Sequence, residues 1–324
     1  MNGIGGFAMG TACGALTRRY HGLLVASLEP PACRRLLVAK VDEVLGAGGE
    51  AFALGVNFYR GAVHPAGYRY LSLFEAYPVP TFVYTCRGWL LEKRAFLVPG
   101  ENTAVVAYRL LAGWGEARLE VEPFLQCRDY HGVVRRTDWP FRQDPFPGGA
   151  RVEAYPGAPP VYLSASRGEY RPEGTWYHDF FYPVERERGL EDAEDHYRPG
   201  RFVLSLAPGE AAYLVFHCPA GGRGEAAWPW GRPSLVGRKA AAALAARSRG
   251  PAGGAVREAG DGEGDPSPAR LLLAARAFYA RRRSTGRYTL LAGFPWFTDW
   301  GRDALIALPG VALIPGRPDR KSVV

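Results

Sequence analysis

The sequence predicts a mainly β protein, with a large sandwich filling residues 1–220 and a shorter helical region after it. Three observations predict it. Strand-length runs rich in Val, Leu, Phe and Tyr recur up to about residue 220, separated by Gly and Pro punctuation. Several of them alternate with period two, the pattern of a half-buried antiparallel strand. Few helical patterns intervene, and many strands with few helices imply a sandwich.

The clearest strand runs, in order, are Gly22–Ala26, Arg35–Val41, Thr81–Thr85, Thr103–Leu110, Arg118–Glu122 and Arg201–Leu206. In the fifth, Arg118, Glu120 and Glu122 interleave with Leu119 and Val121. The texture changes after Pro219. Trp228-Pro-Trp-Gly-Arg-Pro233 reads as a turn-rich hinge, and Ser234 as the N-cap of an Ala-rich helix to about Arg247. Gly250–Pro268 has almost no bulky apolar residue and reads as a linker or surface loop. A helix is then expected over Pro268–Arg283, with Leu271, Leu272, Ala275, Phe278 and Tyr279 on one face. Arg281–Arg283 would sit in its last turn, where the helix dipole favours cations, and read as a solvated end rather than a phosphate site. The expected units are therefore 1–220, a hinge helix and linker over 221–267, a helical region over 268–318, and a short tail over 319–324.

Composition excludes several classes. With 47% hydrophobic and 13% aromatic residues the chain can bury enough surface to offset its entropy, so disorder is excluded for most of it. No uncharged apolar run reaches the roughly 18 residues of a membrane helix, and mean hydropathy is −0.16. Met1–Gly14 is Gly-rich without a basic region before an apolar core, unlike a secretory signal. The net charge of +8 comes almost wholly from arginine, since only Lys40, Lys93, Lys239 and Lys321 are lysine. Those arginines are spread and often lie beside acids, as in Glu185-Arg186-Glu187-Arg188, which argues against a nucleic-acid surface. Cys13, Cys33, Cys86, Cys127 and Cys218 are an odd number, widely spaced, with no C-x-x-C; they read as isolated buried thiols in a reducing cytoplasm. The six histidines form no metal-ligand spacing. No metal or organic cofactor is expected.

Chemistry concentrates in Ala292-Gly-Phe-Pro-Trp-Phe-Thr-Asp-Trp-Gly-Arg-Asp-Ala304. Pro295 stiffens the backbone and Gly301 permits a sharp turn. Trp296, Phe297 and Trp300 bring three aromatic faces within five positions, while Asp299, Arg302 and Asp303 add charges that must be paired if buried. A sugar ring has apolar C–H faces and a ring of hydroxyls, and aromatic platforms with Asp and Arg partners match both. The plainer alternative makes Asp303 the N-cap of a helix over Ala304–Val311, with the tryptophans as ordinary core.

Gly293–Asp303 together with Ala307-Leu-Pro-Gly310 resembles the start of the catalytic domain of prokaryotic glycogen debranching enzymes of the amylo-α-1,6-glucosidase type. Asn2-Gly-Ile-Gly-Gly-Phe-Ala-Met-Gly-Thr11 and Thr17-Arg-Arg-Tyr-His-Gly-Leu-Leu24 resemble the opening of that family's N-terminal domain. Arg128-Asp-Tyr-His-Gly132 and Tyr182-Pro-Val-Glu-Arg-Glu-Arg-Gly189 resemble its internal signatures. The resemblance spans essentially the whole chain. It implies an N-terminal β-supersandwich joined to an (α/α)6 toroid, a branched α-glucan (glycogen, limit dextrin) as substrate, and a cytoplasmic location. It gives Arg302 and Asp303 the hydroxyls of the terminal glucose, with Trp300 and Trp296 as pocket wall and Asp299 among them. Arg18, Arg19, Tyr20 and His21 form either a pocket-facing loop or a device that orders the sandwich.

Hydrolysis in an inverting enzyme needs an acid and a base roughly 6.5–9.5 Å apart. In toroid glycosidases both come from loops well after the Trp-Gly-Arg-Asp position, and twelve helices of about 11–12 residues need well over a hundred residues. Only 56 follow Pro268. An incomplete toroid with no catalytic residue of its own is therefore expected, rather than Asp303 as the acid. Asp319-Arg-Lys-Ser-Val-Val324 is the translation of a sequencing-adapter DNA and is expected to be non-native, and further residues are expected before Asn2. Two rivals remain open: a glucoamylase- or trehalase-like toroid hydrolase, and a non-catalytic glucan-binding sandwich.

Overall fold

The computed structural model describes residues 1–219, 221, 232–248, 271 and 274–313. Its strands are β1 (Phe7–Met9), β2 (Gly22–Glu29), β3 (Ala32–Ala47), β4 (Glu50–Ala53), β5 (Val56–Tyr59), β6 (Ala62–Ala66), β7 (Leu71–Glu75), β8 (Thr81–Cys86) and β9 (Trp89–Leu97). They continue as β10 (Asn102–Ala112), β11 (Ala117–Asp129), β12 (Arg142–Phe146), β13 (Gly149–Glu153), β14 (Val161–Ala165), β15 (Glu169–Phe181), β16 (Ala193–Leu206) and β17 (Ala211–Cys218). Every strand run read from the sequence lies within one of these. Two antiparallel sheets carry most of them. One has the order β1-β2-β3-β11-β16-β15, with β4 also on β3; the other runs β12-β13-β14-β17-β10-β9-β8-β7. The main core fills the space between them, from Leu24, Leu37 and Leu45 on one sheet to Tyr108, Leu163 and Phe216 on the other.

The first sheet is covered on its outer face as well. Phe7, Val25, Leu36, Ala39, Phe124, Phe180 and Tyr182 form a second apolar cluster, and Phe294 from the far end of the chain packs on it. Leu36 and Ala39 serve this outer cluster while Leu37 and Val38 serve the inner core. A strand buried on both faces loses its alternation and reads as a continuous apolar run, as Leu36-Leu-Val-Ala39 does.

Charged groups are buried on the same side. Glu194 accepts from Nε of Arg128 and from its Nη2 at 2.9 Å, and Tyr182 Oη donates to it at 2.6 Å. Arg128 also donates to the carbonyls of Asp129, Tyr130 and Arg19. Burial opposes the Glu194 charge, but Arg128 and its neighbours hold the carboxyl below its ordinary range.

The short helix α1 (Pro183–Glu187) follows β15, and α2 (Pro233–Ser248) packs on β17 and β14. Ser234 is not the N-cap. The Arg232 carbonyl accepts from the amides of Leu235 and Val236, so Pro233 takes the first helical position, where its missing N–H costs nothing. The hinge Trp228–Pro233 and linker Gly250–Pro268 lie almost entirely outside the described residues, as does 319–324.

The helix expected over Pro268–Arg283 stops at residue 277. Tyr279–Arg281 (β18) instead pairs with Tyr288–Leu290 (β19) in a hairpin, and Tyr279 and Ala280 are buried strand residues. Ser284-Thr285-Gly286 supplies the turn, with Gly286 at φ +68°. The short apolar run before it fits either period, and tertiary contacts decide: Arg281 N donates to the Gly3 carbonyl and Arg283 N to that of Pro30. The thiols are all without a disulfide; Cys86, Cys127 and Cys218 are buried, but Cys13 is half-buried and Cys33 is exposed beside the β2–β3 turn, contrary to expectation.

Candidate functional site

The aromatic segment folds into a closed loop. Leu291 bridges Asp299, Ala292 N donates to the Thr298 carbonyl at 2.9 Å, and Phe297 N to the Gly293 carbonyl at 2.7 Å. A Cβ at Gly293 would lie 2.7 Å from the Phe297 ring, so glycine lets that ring close over the backbone. The loop delivers the chain into α3 (Gly301–Leu308). Trp300, extended, is the N-cap residue and makes no side-chain cap bond. Asp303 is therefore not the N-cap. It lies in the first helical turn, where the dipole favours an acid, and pairs with Arg302 Nε at 3.6 Å. The Arg302 side chain is 80% exposed.

Asp299 is engaged by the fold. Thr289 Oγ1 donates to it at 2.9 Å, and Arg282 forms an ion pair with it. Its side chain is 9% exposed, so its charge is matched locally. Trp296, Phe297 and Trp300 are exposed at their outer faces, as are Leu305 and Ile306 on α3.

Against this loop lies the Thr17–His21 turn of the sandwich. The Tyr20 ring meets Trp296 edge-on, centroids 6.2 Å apart, and the Arg18 guanidinium sits 5.5 Å from the Trp296 ring. Arg18 is aimed by the fully buried Glu185, whose Oε1 accepts from Arg18 Nε at 3.3 Å and from Arg19 N at 3.2 Å. Tyr20 Oη lies 3.0 Å from His131 Nδ1. Arg19 also pairs with Glu185, its Nε 3.5 Å from Oε2, and donates to the carbonyls of His131 and Glu191 rather than facing Trp296. His21 is buried and accepts from Thr17 N at 3.1 Å; burial, helped by Arg18 and opposed by Glu185, pushes its pKa down to about 4. The structure thus joins Arg18, Tyr20 and Trp296, and gives Arg19 and His21 to the order of the turn.

Sequence reasoning passed over three contributors: Glu185, His131 and Arg34. Glu185 and His131 sit inside the quoted signatures Tyr182–Gly189 and Arg128–Gly132, and that position was their signal. Arg34, near the start of β3, had none.

A guanidinium beside a half-exposed indole, as Arg18 lies beside Trp296, can bind a polyhydroxylated ring by stacking and hydrogen bonding. Among the described residues no group of three or more His, Cys, Asp or Glu could hold a metal ion. No helix among them is long and apolar enough to cross a membrane.

The family model described as "Glycogen debranching enzyme N terminal" matches residues 1–213. The chain belongs to this glycogen debranching enzyme family. A second model, "Amylo-alpha-1,6-glucosidase", matches residues 273–322, the segment that carries the aromatic loop. The debranching-enzyme match covers the sandwich, including Arg18, Tyr20 and His131, so the two matched segments meet at Trp296. No curated protein matches the chain. Among solved structures it is similar to a bacterial glucoamylase complexed with acarbose (8% identity, 77% of this chain and 40% of that one, TM-score 0.35). It is also similar to a putative kojibiose phosphorylase from human microbiome (9%, 67% and 27%, 0.30). A third is the heparan sulfate lyase HepC from Pedobacter heparinus (10%, 48% and 22%, 0.29). The chain spans 40% or less of the length of each.

Proposed function

We propose that the chain is the amino-terminal part of a cytoplasmic glycogen-debranching α-1,6-glucosidase acting at the branch points of glycogen and limit dextrin. In this reading 1–220 is the β-supersandwich, 221–267 a hinge helix and linker, and 268–318 the first helices of an incomplete (α/α)6 toroid. Trp296 and Trp300 form the wall of a glucose subsite, Arg302 and Asp303 hold sugar hydroxyls, and Asp299 braces the loop. Arg18 and Tyr20 extend the wall from the sandwich. No metal or cofactor takes part.

The observation that carries the reading is the meeting of the two family-matched segments at one half-exposed tryptophan, with the Arg18 guanidinium and the Tyr20 ring beside it. Cleavage of the glycosidic bond needs an acid and a base on opposite faces of the sugar. Asp299 is committed to Thr289 and Arg282, and Asp303 is partnered by Arg302. Neither is assigned as acid or base, so this chain binds glucan without cutting it.

Glycogen affinity electrophoresis, run beside a glucose-release assay on limit dextrin, tests both halves. Retardation by glycogen is expected, weakened about tenfold or more in Arg302→Ala through loss of charge-assisted hydrogen bonds. Glucose release above background is not expected. An unretarded chain refutes the glucan reading, and turnover at an enzymatic rate refutes the assignment of no catalytic residue.

A further inference from the structure

We propose that Arg34 and Tyr130 of the sandwich are positioning residues, holding Trp296 in the orientation in which it meets a glucan. The proposal rests on the sugar-facing reading of Trp296. Three consecutive carbonyls are held by these two side chains. Arg34 Nη1 donates to Pro295 O at 2.9 Å and to Phe297 O at 3.1 Å, and Tyr130 Oη donates to Trp296 O at 2.8 Å. The backbone is thereby fixed before, at and after Trp296, which fixes the direction of its Cα–Cβ bond. Phe294 adds an apolar anchor, its ring 4.9 Å from that of Phe7.

Both holding residues stand on rigid ground. Arg34 lies in β3 and Tyr130 directly follows β11, neighbours in one sheet, and Tyr130 N donates to Arg34 O at 3.3 Å. With the backbone set, the Tyr20 ring and Arg18 guanidinium limit the rotation of the indole. A side chain already confined before binding avoids the ordering cost a free one would incur on contact with the ligand.

The choice of arginine sharpens the argument. Arg34 is 1% exposed, and its guanidinium lies between the rings of Phe7 and Tyr130 at 5.9 and 5.5 Å. Burial pulls its pKa down, opposed by Tyr130 and by the field of Asp299. An apolar side chain of the same length would fill this space without desolvating a charge. What it would not do is reach two carbonyls of a loop 261 positions away.

The test uses the full chain labelled with 5-fluorotryptophan, the Trp296 fluorine resonance being assigned through Trp296→Phe. Tyr130→Phe removes one hydroxyl and keeps the ring; Arg34→Met removes the charge and keeps the length. Expected in both is a shifted or broadened Trp296 resonance with the other tryptophans unmoved, and a five- to tenfold loss of glycogen affinity. Should Arg34→Met fail to fold, Tyr130→Phe alone decides. A wild-type chain that binds glycogen, with variants whose Trp296 resonance stays put, overturns the clamp and leaves the sugar reading standing. A moved resonance with unchanged affinity overturns it equally. A wild-type chain that ignores glycogen brings down the sugar reading and the proposal together.

Discussion

His21, His196 and His217 are buried in the sandwich as neutral rings, and acid must charge them before it can do much else to this fold. Burial is the largest cause in each case, and each pKa falls from 6.5 to about 4. His196 is also pushed down by Arg128 and Lys40 against the pull of Glu194, and His217 by Lys239 against Glu101. A base whose folded pKa is depressed binds fewer protons folded than unfolded between the two values. The contribution of these rings is therefore full near pH 7 and falls as pH drops from about 6.5 towards 4, while the buried Met1 ammonium, pushed down to about 6, adds a loss that begins as pH drops below 8. Between pH 7 and pH 4.5 each ring costs about 2–3 kcal/mol, and the three together about 7 kcal/mol. That is comparable to the whole stability of an ordinary domain, about 5–15 kcal/mol. Depressed carboxylates such as Glu194 and Asp195 lose their contribution only below their unfolded values near 4, so they do not blur this window. Urea unfolding followed by circular dichroism at pH 7, 6, 5 and 4.5 reads the slope directly. His217→Gln, whose side chain cannot titrate there, is expected to lose about 2–3 kcal/mol less than wild type over the same interval. A wild-type stability constant to within about 1 kcal/mol from pH 7 to 4.5 would refute the reasoning.

Two further perturbations test the packing. Arg128→Met leaves Glu194 charged and buried and frees the carbonyls of Arg19, Asp129 and Tyr130; a loss of about 3–5 kcal/mol in urea unfolding at pH 7 is expected. Gly67→Ala would set a Cβ 2.0 Å from the Leu54 carbonyl oxygen, a backbone atom that cannot rotate aside, and is expected to cost about 1–3 kcal/mol and lower Tm.

The sandwich was legible because its strands obey local rules. In β11, Arg118 is exposed and Glu120 half-exposed, while Leu119 and Val121 are buried, as the alternation demands. The hairpin of β18 and β19 was not legible. Phe278-Tyr-Ala280 is too short to fix a period, and the choice of strand comes from partners at Gly3 and Pro30, far off in sequence. The aromatic loop was readable as a cluster, because Trp296, Phe297 and Trp300 fall within five positions. Its division of labour was not. Asp299 looks like a ligand group in one dimension, and only the arrival of Thr289 and Arg282 shows it spoken for. Likewise the Arg18–His21 turn divides according to Glu185, which lies 167 positions from Arg18.

These long-range partners share a location, and the location gives them a common cause. Arg34, Arg128, Glu194 and Tyr182 belong to the first sheet or to the segment just after β15, and Glu185 to the helix that follows. They are buried because that sheet has a second covered face, made by its own loops and by Phe294. On the inner face, between the sheets, Leu, Val, Ala and Phe supply most of the cohesion and need no particular partner. The outer face instead meets loops, whose carbonyls and amides require donors and acceptors once water is excluded. Arg128 answers that need through Nη1 and Nη2 and Arg34 through Nη1, and the buried Glu194 carboxylate balances Arg128. The same polar layer that satisfies loop backbone also fixes where Arg18, Tyr20 and Trp296 point. Disturbing a buried charge here should therefore move the exposed aromatic wall, whereas shaving a methyl group from the inner core should lower stability and leave that wall in place.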